Sequence, residues 1–241
     1  MSALAAQTRA EVQMTLKRGE SLLLTLGIPV MLLTFFSLVD VLPTTTDEPV
    51  DFLAPGILAL AVMSTAMVSL AIATGFERQY GVLKRLGTTP LGRTNLLLAK
   101  TASMVVVELL QVAVVTVIGF ALGWRPPAGG LLIVLIAVVL GTAAFAGIGM
   151  TMAGTWSAEK TLAGANGLYL VLLLVSGMVI PLEKLPGAAR TVARLLPSAA
   201  LSDIFHGALT VGGDVPGRAW IVLVVWAVAM PIAAARFFRW E

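Results

Sequence analysis

The sequence predicts an all-α integral membrane protein with six transmembrane helices, and three observations carry that prediction. Of its 241 residues, 58% are hydrophobic and only 12% charged, about half the roughly 25% charged residues usual in soluble domains, and mean hydropathy is +0.95. Six segments offer the ~20 mostly apolar residues that a spanning helix needs: 22–42, 52–74, 96–122, 131–153, 165–182 and 219–237. Basic residues then sort by side. Arg9, Lys17, Arg18, Arg78, Lys84, Arg85, Arg93, Lys100, Lys160, Arg236 and Arg239 fall on the side of the N-terminal segment, and Arg125, Lys184, Arg190, Arg194 and Arg218 on the other. Both termini are therefore expected in the cytoplasm, and the acidic first outer loop, PTTTDEPVD, agrees.

Composition also excludes. A net charge of +3 is too small to indicate nucleic acid. With no cysteine in the chain, disulfides, thiolate catalysis and Cys-based metal sites are out. One histidine and scattered carboxylates leave little material for a metal site, and none is expected.

In chain order, residues 1–20 read as an interfacial helix. Leu4, Ala5, Val12 and Leu16 share an arc, with Glu11, Lys17 and Arg18 off it; a solvated helix fits the same pattern. The first apolar run is too long for a signal-peptide core of ~7–15 residues and is read as a retained span. The second span carries Met63, Ser64, Thr65 and Met67. After it comes the charged hairpin 76–93. On a helix over 76–87, Phe76, Gln79, Tyr80, Val82, Leu83 and Leu86 face one way, and Glu77, Arg78, Lys84 and Arg85 the other. Gly87 ends it and Thr88-Thr89-Pro90 turns the chain. Its apolar side suits either lipid or a partner's groove. Arg93 and Lys100 then anchor the third span at the interface.

The third span places Thr101, Glu108 and Gln111 on one face. An intramembrane carboxylate is costly and turns inward, as a packing hydrogen bond or as a proton or substrate contact. The fourth span ends in GTAAFAGIGMTMAG, small residues that let helices approach closely. The fifth holds Asn166 and Tyr169. Residues 183–216 are apolar but punctuated by Pro186, Pro197 and Pro216, after Pro181. They are expected to form a short helix over 187–196 and a second one capped by Ser198 and running to about Leu209, both re-entrant or interfacial. His206 lies in the second, as a gate, a satisfied imidazole or a bystander. The whole chain, 1–241, reads as one transmembrane domain.

The hairpin resembles the family of ABC-2 type membrane subunits, the permeases of drug, lipid and polysaccharide ABC exporters. The matching residues are Glu77-Arg78, Gly81, Leu83, Leu86, Pro90, Arg93 and Lys100. Phe52-Leu53-Ala54-Pro55-Gly56 and the prolines at 181, 186 and 197 look like the same family in the same order. The resemblance implies that 76–93 is a coupling helix seated on a cytosolic ATPase, with Glu77, Arg78, Tyr80, Gly81, Leu83, Lys84, Arg85, Leu86, Pro90 and Arg93 in that contact. It also implies a prokaryotic cell membrane, an exporter with two ATPase copies, and a second permease subunit, the same or different. No G-x-x-x-x-G-K-[ST] occurs in the sequence, so ATP and Mg would belong to the ATPase and this chain would be no enzyme itself. Met63, Ser64, Met67, Asn166 and Tyr169 are the candidate lining for a hydrophobic or amphipathic cargo. Two other classes stay open: an intramembrane enzyme acting on lipid or peptide, and a non-transporting scaffold for an ATPase.

Overall fold

The computed structural model describes residues 3–17, 19–39, 48–87 and 93–239, and every regular element among them is helical. In order these are α1 (Ala3–Lys17), α2 (Gly19–Leu38), α3 (Pro49–Gln79), α4 (Val82–Gly87), α5 (Arg93–Ala121), α6 (Gly130–Thr155) and α7 (Ala158–Leu174). A 3₁₀ turn (Leu182–Lys184), α8 (Gly187–Ala193), α9 (Pro197–Leu209) and α10 (Gly217–Phe237) complete the chain. Among the described residues four helices are long and apolar enough to cross a membrane: α3, α5 from Asn95, α6 and α10. The apolar stretch described on α2, Leu26–Leu38, is shorter.

Helices α3 and α6 form the centre. α6 packs on α10, α3 and α9, and α3 also meets α2, α5 and α7. The small residues of α6 do what their composition suggests. A methyl added to Gly147 would lie 2.5 Å from the backbone of Met230, and one on Gly149 2.6 Å from the Met67 carbonyl oxygen. At the other end of the core, a methyl on Gly56 would overlap the Met178 carbonyl oxygen at 1.8 Å. That glycine admits the chain leaving α7.

The polar stripe of α5 turns largely inward. Glu108 is fully buried and Thr142 of α6 hydrogen-bonds its Oε2. Thr65 of α3 donates to Gln111 Oε1 at 2.9 Å, and Thr101 bonds back to Leu97 within its own helix.

Four expectations are corrected. The expected fifth span, 165–182, is a helix over Ala158–Leu174, opened by the Ser157 cap. It closes early because Ser176 binds Leu173 O and the Met178 N–H, while Gly177 takes φ +78, a conformation open to glycine. The continuous helix over 76–87 is broken at Tyr80 and Gly81, Gly81 having φ +71. Ser198 caps nothing. The helix begins with Leu196 as its cap residue and Pro197 in its first turn, where a missing N–H is harmless. The preceding helix ends at Ala193, earlier than 196. Thr88-Thr89-Pro90 and most of the first expected outer loop lie outside the described residues.

Candidate functional site

The hairpin after α3 is a ledge built outward from buried supports. Glu11 of α1, expected off the apolar arc, is only 7% exposed, and Lys100 of α5 only 2%. Lys100 Nζ lies 3.1 Å from Glu11 Oε1 and 2.5 Å from Glu77 Oε2, joining three helices through one ammonium. Gln7 adds a bond to Glu11 Oε1 at 2.9 Å. Lys100, expected to anchor the third span, meets both partner carboxylates inside the protein.

Arg78 turns the same way, donating to the carbonyl oxygens of Trp156 and Arg239. Gln79 donates to Glu159 Oε1 at 2.9 Å, tying α3 to the start of α7. Leu83 is buried against Leu96 and Phe238, with Leu86 beside them. The apolar side of α4 therefore rests on this chain's own helices.

What remains outward is a short strip. Tyr80, placed by periodicity on the apolar arc, is 71% exposed; its ring stacks on Phe76 at 6.1 Å. Val82, Lys84 and Arg85 are exposed beside it. The break at Gly81 separates the inward residues, Glu77 and Arg78, from this outward group. Pro90 lies outside the described residues, and Arg93 opens α5.

A second feature lies halfway along α3. Residues Ser64–Ser69 form a π-helical segment, a rare distortion that is frequent at functional sites. It sets Ser64, Val68 and Ser69 around a cavity of about 220 Å³, together with Ile28, Pro29, Asn166 and Tyr169. Ser64, Asn166 and Tyr169, expected on one path from sequence, share this cavity. Met63 and Met67 do not: both are fully buried in the core. Asn166 spends an amide proton on Leu162 O at 2.8 Å and Ser64 its hydroxyl on Ala61 O. Beside the cavity, Leu162, Leu170, Val171 and Leu174 leave an exposed apolar face on α7.

The proline-bounded segment is pinned at several points. Arg190 holds the 3₁₀ turn through the carbonyls of Leu182, Glu183 and Leu185, with Pro186 ahead of α8 as its cap residue. Trp226 Nε1 donates to Leu195 O at 2.9 Å, and Arg218 pairs with Asp203 at 3.2 Å. His206 reaches α3, with Nε2 3.0 Å from Phe52 O.

This segment also holds a serine–histidine contact that sequence reading passed over, Ser202 Oγ to His206 Nδ1 at 3.3 Å. It is a poor hydrolytic pair. A catalytic base is oriented by a third group, usually a carboxylate, whereas this ring's other nitrogen meets a carbonyl, and Ser202 is buried. Among the described residues no three His, Cys, Asp or Glu gather as a metal site.

The sequence is also similar to known proteins. The description of the ABC-2 type transporter family matches residues 3–209. Two Escherichia coli (strain K12) proteins named as multidrug ABC transporter permeases are similar. YbhR is 23% identical over 78% of this chain and 52% of its own length; YbhS is 24% identical over 85% and 54%. A protein named as a transport permease, YvfS of Bacillus subtilis (strain 168), is 26% identical over 82% of both chains. The chain thus spans about half the length of the two Escherichia coli relatives it matches.

Proposed function

The chain belongs to the ABC-2 type transporter family, and from that premise we propose that it is the membrane permease of an ATP-driven exporter of hydrophobic or amphipathic compounds. The observation that carries the reading is the ledge. Tyr80, Val82, Lys84 and Arg85 stand exposed on a break whose other side is anchored to Lys100, Trp156 and Arg239. A contact of that build moves as one piece with α3 when a partner pushes on it.

In this reading two copies of a cytosolic ABC ATPase supply ATP and Mg, and Tyr80, Gly81, Lys84 and Arg85, with Pro90 and Arg93 on the return, present the hairpin to them, while Leu83 and Leu86 seat it on its own chain and Glu77 and Arg78 are its struts. ATPase closure shifts the permease between inward- and outward-facing populations. α2 and α7 complete a six-span bundle in a prokaryotic cell membrane, with both termini cytoplasmic. A second permease, identical or related, covers the apolar face of α7 and closes the Ser64–Asn166–Tyr169 cavity into a path. That cavity alone, at about 220 Å³, is below the ~300–1,000 Å³ of small-molecule pockets, as half of a shared site should be.

The test is reconstitution with the ATPase in liposomes. ATP-dependent cargo movement is expected, and the double variant Tyr80→Ala/Arg85→Glu should keep membrane insertion while losing movement. Unchanged movement in that variant removes the coupling assignment. A complex that hydrolyses ATP and moves nothing favours the scaffold reading.

A further inference from the structure

Where α5, α6 and α10 meet, a trough of about 430 Å³ opens on the side of the bundle. Buried Gly147 of α6 and Ala227 of α10 line its depth. Leu98 of α5 and Ile232 of α10, 52% and 60% exposed, line its mouth. Short side chains between long ones leave a concave surface, of a volume within the ~300–1,000 Å³ of small-molecule pockets. The one side-chain hydroxyl among its lining residues, that of Thr101, is spent on Leu97 O. The trough therefore suits hydrocarbon.

Its depth is that of one leaflet. On α10 the lining runs from Ala227 to Ala235, about 12 Å along the helix axis at 1.5 Å per residue. Half of a ~30 Å hydrocarbon core is about 15 Å. The open end lies on the side of the ledge. Ala235 is in the last turn but one of the chain's final helix, and Phe238 just beyond it packs with Leu83 and Leu96.

A cation stands at that end. Arg236 follows Ile232 by one turn on the same face of α10, is exposed, and has no ion-pair partner among the described residues. Lys100 lies on another face of α5 and is spent on Glu11 and Glu77. An unpaired guanidinium above an apolar trough one leaflet deep is complementary to an anionic amphiphile with its chain turned inward. We propose that the trough binds one acyl chain of an anionic phospholipid from the leaflet on the ledge side, with the headgroup phosphate on Arg236. The second permease of the proposed complex sits on α7, which packs on α3 and α6, and leaves this face to lipid. The site needs only this chain's own spans and holds whether or not a cargo moves.

The test uses the full chain in phosphatidylcholine nanodiscs. A trace of phosphatidylglycerol carrying a diazirine midway along one acyl chain is added, and adducts are mapped by peptide mass spectrometry after illumination. Adducts should concentrate on residues 143–150 and 227–235. Their yield should exceed that of the same probe with a phosphatidylcholine headgroup about fivefold, the weight of one arginine at an anionic membrane surface. Arg236→Gln, an exposed change, should bring the two probes level. Ala143→Leu, at a partly exposed lining position, should remove the trough adducts of both probes. Labelling at Val106, exposed on α5 outside the trough, should persist. The headgroup ratio and Arg236→Gln decide the matter even if Ala143→Leu does not fold. Equal labelling by both headgroups, a ratio unchanged in Arg236→Gln, or adducts spread evenly over Val106 and the trough would mean ordinary boundary lipid and overturn the site. So would a cross-link from the trough to a second copy of the chain.

Discussion

The two ends of α3 are held by different physics. At the Gln79 end charged side chains do the holding: one buried ammonium serves two carboxylates, and Arg78 grips two carbonyls. At the Pro49 end the holding is close packing and a single imidazole. Gly56 lies against the Met178 backbone, and His206 meets Phe52 O. Charge struts withstand a push on an exposed ledge, because each connects a different helix. The Pro49 end is held by shape and by one ring's bond to a carbonyl. In the proposed transport cycle, the Gln79 end receives the force.

The comparison breaks most readily at Lys100. Lys100→Met leaves two carboxylates facing each other without a cation, and loss of one member of a buried ion pair costs about 3–5 kcal/mol. A large fall in thermal midpoint of the detergent-solubilised protein is expected. Neutralising all three, as Glu11→Gln/Glu77→Gln/Lys100→Met, should recover most of it, since the isolated burial of charge is gone. If the single and triple variants melt alike, the triad is not what secures this end.

Gly56→Ala tests the opposite end. The added methyl overlaps a backbone carbonyl, so a loss of about 1–3 kcal/mol, the usual range for overpacking, is expected in the same melt. Gly81→Ala should cost less, about 1 kcal/mol, for placing a side chain at positive φ. Smallest is Thr65→Val between the ends, where one interhelical hydrogen bond to Gln111 is worth about 0.6 kcal/mol in membrane proteins. A drop there as large as at Gly56 would mean that the α5 polar stripe, and not the ends, secures α3.

Much of this was legible in the residues. The oily composition and the small residues of α6 each announce their role through local chemistry, and the charged hairpin after the second span stands out as a break in the apolar pattern. What escaped was long-range or a matter of phase. Glu11 and Lys100 are 89 positions apart, and an amphipathic arc assigns Glu11 to the surface because it is blind to a buried partner. The sequence groups Met63 and Met67 with Ser64 as neighbouring, flexible lining of the second span. Along the π segment Ser64, Val68 and Ser69 line the cavity while both methionines stay inside the core. The fifth helix was set too late because an apolar window averages over Ser176-Gly177, two residues whose hydroxyl and positive φ end it.

The most direct measurement uses the absence of cysteine in the chain to place one thiol at a time at the two ends. Tyr80→Cys on the ledge and Val211→Cys, 78% exposed in the proline-bounded segment, each carry a photoreactive maleimide in membranes that also contain the ATPase. The account expects an adduct of permease and ATPase from position 80 and none from position 211. An adduct from 211 alone, or from neither position, would contradict it.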